Sequence, residues 1–78
     1  MEYPLTEHAH DAMEKRRVQL AWVEQALHAP DWVEPDPMNP ELERRYARIP
    51  EFGNRVLRVV STLGTNPIRI VTVHFDRR

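Results

Sequence analysis

A chain of 78 residues has room for one domain, with a thin core between two layers and no second domain. With no cysteine it has no disulfide framework, thiolate metal site or thiol nucleophile, which fits a reducing compartment. The net charge of −1 conceals opposed halves: residues 1–43 hold 3 basic and 10 acidic side chains, net −7, and residues 44–78 hold 8 and 2, net +6.

Such asymmetry suits a nucleic acid or another charged partner. It equally suits two halves that neutralise each other within the fold or across a dimer. The ten arginines to one lysine favour phosphate recognition, although a GC-rich genome produces the same bias. No apolar run approaches bilayer thickness, and Met1-Glu2-Tyr3-Pro4 lacks the basic and apolar regions of a signal peptide. The expected location is the cytoplasm, with no membrane partner.

Thr6 is a plausible N-cap, followed by acidic Glu7 and an apolar stripe of Leu5, Ala9, Ala12 and Met13. Lys15, Arg16 and Arg17 stand where cations favour a helix C-terminus. The pattern predicts a helix over 6–16. A second is predicted over 19–28, with Leu20, Val23 and Leu27 on one face and Pro30 as its stop. Gln19 is a weak cap for it.

Pro30, Pro35, Pro37 and Pro40 exclude a helix or central strand there, leaving Asp31–Glu34 as a short edge strand at most. From Glu41 the period becomes 2. Leu42, Arg44, Tyr46 and Arg48 share one face of a strand over 42–49, and Arg45, Ala47 and Ile49 the other. Residues 50–54 read as a turn, and β-rich runs over 55–63 and 68–75 flank a hairpin loop. A three-residue loop, Gly64 to Asn66, puts Val56, Arg58 and Val60 on one face with Ile70, Thr72 and His74; a four-residue loop exchanges those partners. Helices first and strands after define an α+β fold: two N-terminal helices on an antiparallel sheet of three to four strands. Two tryptophans, aliphatics on both hairpin faces and the opposed charges predict a homodimer.

His8 borders the apolar stripe of the first helix, a position suited to a general acid or base near neutral pH, although periodicity alone favours a packing histidine. His8 and His10 diverge by about 200° on a helix, and His8 with Asp11 lacks further ligands, so no metal site is expected. Arg44, Tyr46 and Arg48, with Arg55, Arg58 and Arg69 nearby, supply charge for phosphate and a ring for a base. The same residues also suit a solvated sheet face that resists aggregation. Trp22 and Trp32 read as core or interface anchors.

Several segments together resemble a known family. They are His8-Ala9 with Met13 and Arg16, Trp22-Val23-Glu24, the run from Ile49 to Val60, and the ending from Val71 to Arg78. The chain resembles a bacterial family of small proteins described as a domain of unknown function, number 4258. That family is considered similar to the RelE, barnase and colicin-type nucleases, in which two helices pack on a curved antiparallel sheet. Relatives of that layout occur as toxins paired with antitoxins. The family pattern has Arg, Gly and Ser where this chain has Ala12, Arg17 and Gln19.

The resemblance implies cleavage of an RNA phosphodiester by its own 2′-hydroxyl, with no cofactor. RNA and an antitoxin-like protein are the partners it implies. His8 would be the acid or base, Arg58 with Arg55 and Arg77 the phosphate clamp, Thr72 an orienting group, and Asp76 the positioner of an arginine. The alternative is a non-catalytic interaction or nucleic-acid-binding module acting as a homodimer.

Overall fold

The computed structural model describes residues 5–65 and 67–76. Helix α1 spans Glu7–Arg16 and helix α2 Leu20–His28. Strands β1 (Trp32–Pro35), β2 (Leu42–Ile49), β3 (Arg55–Thr62) and β4 (Ile70–Asp76) follow, with a 3-10 turn at Pro50–Phe52. The strands form an open antiparallel sheet in the order β1-β2-β3-β4. This is the expected α+β architecture. No helix among the described residues is long and apolar enough to cross a membrane.

Thr6 both caps α1 and fastens it to the sheet. Its Oγ1 accepts the Ala9 N–H at 3.0 Å, satisfying one of the free donors of the first turn. The same hydroxyl donates to the Val71 carbonyl at 2.9 Å, and the Thr6 N–H donates to the Ile70 carbonyl at 3.1 Å. Leu5 makes a parallel bridge with Ile70. The chain therefore enters α1 beside the start of β4, and the buried Ala9 and Ala12 let the helix lie close along that strand.

Helix α1 ends at Arg17, whose φ of 55° and ψ of 41° are left-handed. The Val18 N–H reaches back to the Met13 carbonyl at 2.9 Å, the outer bond of a Schellman closure. Glycine suits that conformation because it has no Cβ to crowd the next carbonyl, a contact that costs other residues about 1–2 kcal/mol. Greater unfolded-state freedom offsets part of the relief, so Arg17→Gly is expected to stabilise the protein by about 0.5–1 kcal/mol. A lower melting temperature for that variant would contradict the strain.

Gln19 caps α2 without a side-chain bond, as its poor capping chemistry implies. The other end of α2 is held by Arg45, whose guanidinium donates to the Leu27 carbonyl at 2.8 Å and pairs with Glu43 at 2.9 Å. A cation there complements the helix dipole and a carbonyl without a partner in the helix. Trp22, Val23, Ala26 and Leu27 of α2 meet Ala47, Ile49, Leu57 and Val59 of the sheet, joined by Ile70 and Val73 of β4.

The proline-rich segment contributes β1 at the sheet edge, where Pro35 is tolerated. Asp36 Oδ1 then accepts the Met38 and Asn39 N–H groups at 2.9 and 3.0 Å, a local turn that suits an Asp among prolines. The hairpin of β3 and β4 departs from both expected pairings. Val60 faces Thr72 while Ser61 faces Ile70, so the ladder skips Val71. This bulge turns Ile70 into the core, and it is fully buried. Thr72 and His74 stay on the face of Arg58. The strands accordingly end at Thr62 and resume at Ile70, leaving a longer connection than the hairpin pattern predicts.

Candidate functional site

The sheet face turned away from the helices gathers the chemistry. Its central row crosses all four strands: Trp32 faces Tyr46, Tyr46 faces Arg58, and Arg58 faces His74. A parallel row runs Glu34, Arg44, Val60, Thr72. Directly opposed side chains in antiparallel strands lie about 4.5–5.5 Å apart at Cβ, so each row is a chain of contacts.

Arg58 Nε donates to His74 Nε2 at 2.6 Å, and the Arg58 Nη2 group closes on the same nitrogen. That nitrogen can accept only if its lone pair is free, so the proton of the neutral ring resides on Nδ1. Burial pushes the His74 pKa below its ordinary 6.5, the positive charges of Arg58, Arg16 and Arg44 push it further, and Asp76 opposes them. His74 is therefore neutral at pH 7, half-buried and held by a cation.

Because its folded pKa lies below 6.5, the unfolded chain takes up this proton first on acidification. His74 then contributes its full stability above about pH 6.5 and progressively less as pH falls below it. Replacing His74 with Gln is expected to flatten the acid-side loss of melting temperature between roughly pH 6.5 and pH 5. The three other histidines, His8, His10 and His28, are the same in both proteins and drop out of the comparison. Identical slopes would show that His74 is not shifted.

Arg16, Arg58, His74, Phe75 and Asp76 line an open cleft of about 440 Å³. Arg16 arrives there because α1 starts beside Ile70 and runs along β4, placing its last residue at the far end of the strand. A second cleft of similar volume lies between Pro40, Leu42 and Leu63, and its lining offers Glu41 as the only titratable side chain.

Beyond the cleft, Trp32 stacks on Tyr46 with ring centroids 4.7 Å apart and planes within 12°. The Tyr46 hydroxyl donates to Glu34 Oε1 at 2.6 Å. It also raises the pKa of Arg44, ahead of Asp36, which pairs with Arg44 at 3.2 Å. The Met38 N–H, with further help from Arg44 and Asn39, lowers the Asp36 carboxyl below its usual range. These bonds lock β1 to β2 and hold Trp32 in place.

Of the residues expected to act, Arg58, Thr72 and Asp76 lie on this face, as do Arg44, Tyr46 and Arg48. Tyr46 is fully buried and offers no surface for a base; half-buried Trp32 covers it. Arg55 is on the helix side, its guanidinium 4.6 Å from the Phe75 ring centre and 5.4 Å from that of Phe52. Its charge is spent on a cation–π contact rather than on the basic face. His8 is exposed in the first turn of α1, and Arg77 lies outside the described residues. Trp22 is a core anchor, as expected, whereas Trp32 lies half-buried on the Arg58 face.

His74 and Arg16 were not singled out by sequence reasoning. A signal for His74 was present, since the three-residue loop already puts it on the Arg58 face. Arg16 was read only as a cation at the helix C-terminus and as part of the family pattern, because its place in the cleft depends on how α1 docks along β4. The side chains that could gather round a metal among the described residues are His10, Asp11 and Glu14, all exposed on α1. They give three ligand atoms within 4.8 Å, open to water and away from the Arg58 face.

No match is found among the curated proteins or the solved structures. The sequence model of one family covers residues 5–75, which include α1, α2, β1, β2, β3 and nearly all of β4. The chain belongs to the family described as a domain of unknown function, DUF4258.

Proposed function

We propose that this protein cleaves single-stranded RNA without a metal, using the Arg58–His74 face. The observation that supports this most is the neutral imidazole held at Nε2 by Arg58, in a cleft that also receives Arg16 and Asp76. The resemblance to RelE- and barnase-type nucleases points the same way.

In this reading an RNA phosphate enters the cleft and takes the N–H donors of Arg58, joined by Arg16. The shift uncovers the His74 Nε2 lone pair, which removes the proton from the adjacent 2′-hydroxyl. The 2′-oxygen attacks phosphorus and the bond to the 5′-oxygen breaks. A 2′,3′-cyclic phosphate forms on one fragment, and the departing 5′-oxygen takes a proton. The resemblance gives His8 as acid or base, but His8 stands in the first turn of α1, about 12 Å along the helix from Arg16 in the cleft, so solvent supplies this proton. The guanidinium groups stabilise the charge that builds on the phosphate oxygens. Asp76 holds the arginines in place, and Thr72 orients the phosphate.

A second reading, a non-catalytic homodimeric module, is favoured by Val33, which is 45 % exposed on the edge strand β1. Incubating RNA with the wild type and with the Arg58→Ala and His74→Ala variants separates the two. Cleavage by the wild type alone supports the nuclease, and RNA binding without cleavage supports the module.

A further inference from the structure

The cleft beside β4 has a definite charge. Its lining holds Arg16 and Arg58 as cations, Asp76 as an anion and His74 as a neutral base. Two positive charges and one negative leave the lining at net +1. The charges that act on His74 come from every neighbouring element: Arg16 from α1, Arg44 from β2, Arg58 from β3 and Asp76 from its own strand. Arg44 is already paired with Asp36 at 3.2 Å. Arg48 stands beyond Val56 in the row of Asp76, outside the lining.

That charge separates two kinds of phosphate. An internal phosphodiester carries one negative charge, which the lining offsets while the imidazole keeps its lone pair. A terminal phosphate carries close to two at neutral pH, one more than the lining supplies. The shortfall falls beside the one group that can gain a charge. His74 Nε2 lies 2.6 Å from Arg58 Nε, so an anion seated on the Arg58 guanidinium is a near neighbour of that nitrogen. An opposite charge within about 4–6 Å favours the charged form of an ionisable group. A proton on Nε2 brings the lining to net +2 and turns an acceptor into a further donor for the anion.

We infer that the cleft is matched to a single internal phosphodiester, and that a terminal phosphate dianion occupies it only together with a proton on His74. The inference rests on the proposed RNA reading and adds its substrate class and its regulation. A diester leaves His74 as the base that cleavage needs. A phosphorylated chain end protonates that base, so it inhibits instead of reacting, and more strongly as the pH falls. On this reading the protein cuts within a chain rather than at its phosphorylated end.

The test follows the His74 ring by NMR while two probes are titrated into the protein at constant ionic strength. One is sulfate, a dianion that stays fully ionised across the range. The other is a 2′-O-methyl dinucleotide without terminal phosphates, a single diester whose blocked 2′-oxygen cannot attack. Sulfate is expected to raise the midpoint of the His74 titration, and the dinucleotide to move it far less. Sulfate affinity should rise about threefold to thirtyfold from roughly pH 7.5 to pH 5.5, within the ceiling of tenfold per pH unit for one proton, and dinucleotide affinity less than about threefold. His74→Gln should remove the pH dependence of sulfate binding and keep the binding that the arginines supply. If the dinucleotide binds, sulfate that leaves the wild-type midpoint in place, or fails to bind at acid pH, overturns the inference while the diester site stands. That comparison requires no variant to fold. A dinucleotide that moves the midpoint as far as sulfate also overturns it. If the dinucleotide does not bind the folded wild type, the RNA reading falls with it.

Discussion

Trp22→Ala is expected to lower the melting temperature by about 15–30 °C. Trp22 fills the space between α2 and the end of the sheet, with its ring centroid 5.3 Å from Phe52 and 6.1 Å from Phe75. Its indole N–H donates to Glu51 Oε2 at 3.1 Å, so truncation also removes the donor from a carboxylate. Replacing a buried Trp with Ala typically costs about 3–5 kcal/mol. A chain of this length has roughly 4–12 kcal/mol in total, and each kcal/mol corresponds to about 4–8 °C in so small a domain. The loss should also release Phe75 and the Arg55 guanidinium above it, giving a large change in near-ultraviolet circular dichroism. Trp22→Phe keeps the stack and should lose far less. A drop below about 5 °C for Trp22→Ala would show that the aromatic cluster is not the keystone of the core.

This aromatic cluster also shows what was legible in the sequence. The change of period from 3.6 to 2 located both helices and the strand over 42–49, because burying one face of a helix or sheet imposes that rhythm. The alternation within that strand correctly separated Arg44, Tyr46 and Arg48 from Arg45, Ala47 and Ile49. The partners across the second hairpin were less accessible. A bulge inserts one residue without leaving a strong sequence mark, and Val71 is as good a β-former as its neighbours. Arg55 was grouped with the basic face because charge was counted by sequence proximity. In the fold its position opposite Ile49 sends it to the aromatic side. Tyr46 was read as an accessible ring and lies buried beneath Trp32 for a similar reason: periodicity gives the face of a residue, while its depth depends on what lies above it. Arg58 and His74 meet because register pairs them, and their sixteen-residue separation is beyond any local motif.

The second large effect concerns catalysis. Arg58→Ala is expected to reduce RNA cleavage by about 10²–10³-fold, the usual cost of removing a donor that stabilises transition-state charge. RNA affinity should fall as well, and binding should depend less steeply on salt because one fewer phosphate is neutralised. His74→Ala is expected to remove about 10²–10⁴-fold of the rate, the range for a general base. It should leave affinity nearly unchanged, since the imidazole is neutral in the free protein. The two variants therefore separate charge from proton transfer. His8→Ala belongs beside them and is expected to leave the rate unchanged, because His8 lies about 12 Å along α1 from Arg16 in the cleft; a loss of cleavage with intact binding would return it to the mechanism. Melting curves for each variant keep a folding defect from being read as a chemical one. A His74→Ala protein that cleaves at the wild-type rate would remove the imidazole from the mechanism.

The most direct measurement is the fate of a labelled single-stranded RNA incubated with folded wild-type protein at low salt in the presence of a metal chelator. The account predicts fragments ending in a 2′,3′-cyclic phosphate. It also predicts that they are absent with Arg58→Ala and His74→Ala, and that wild-type binding weakens steeply as salt is raised. Intact RNA, with no binding by the folded wild type even at low salt, would contradict it.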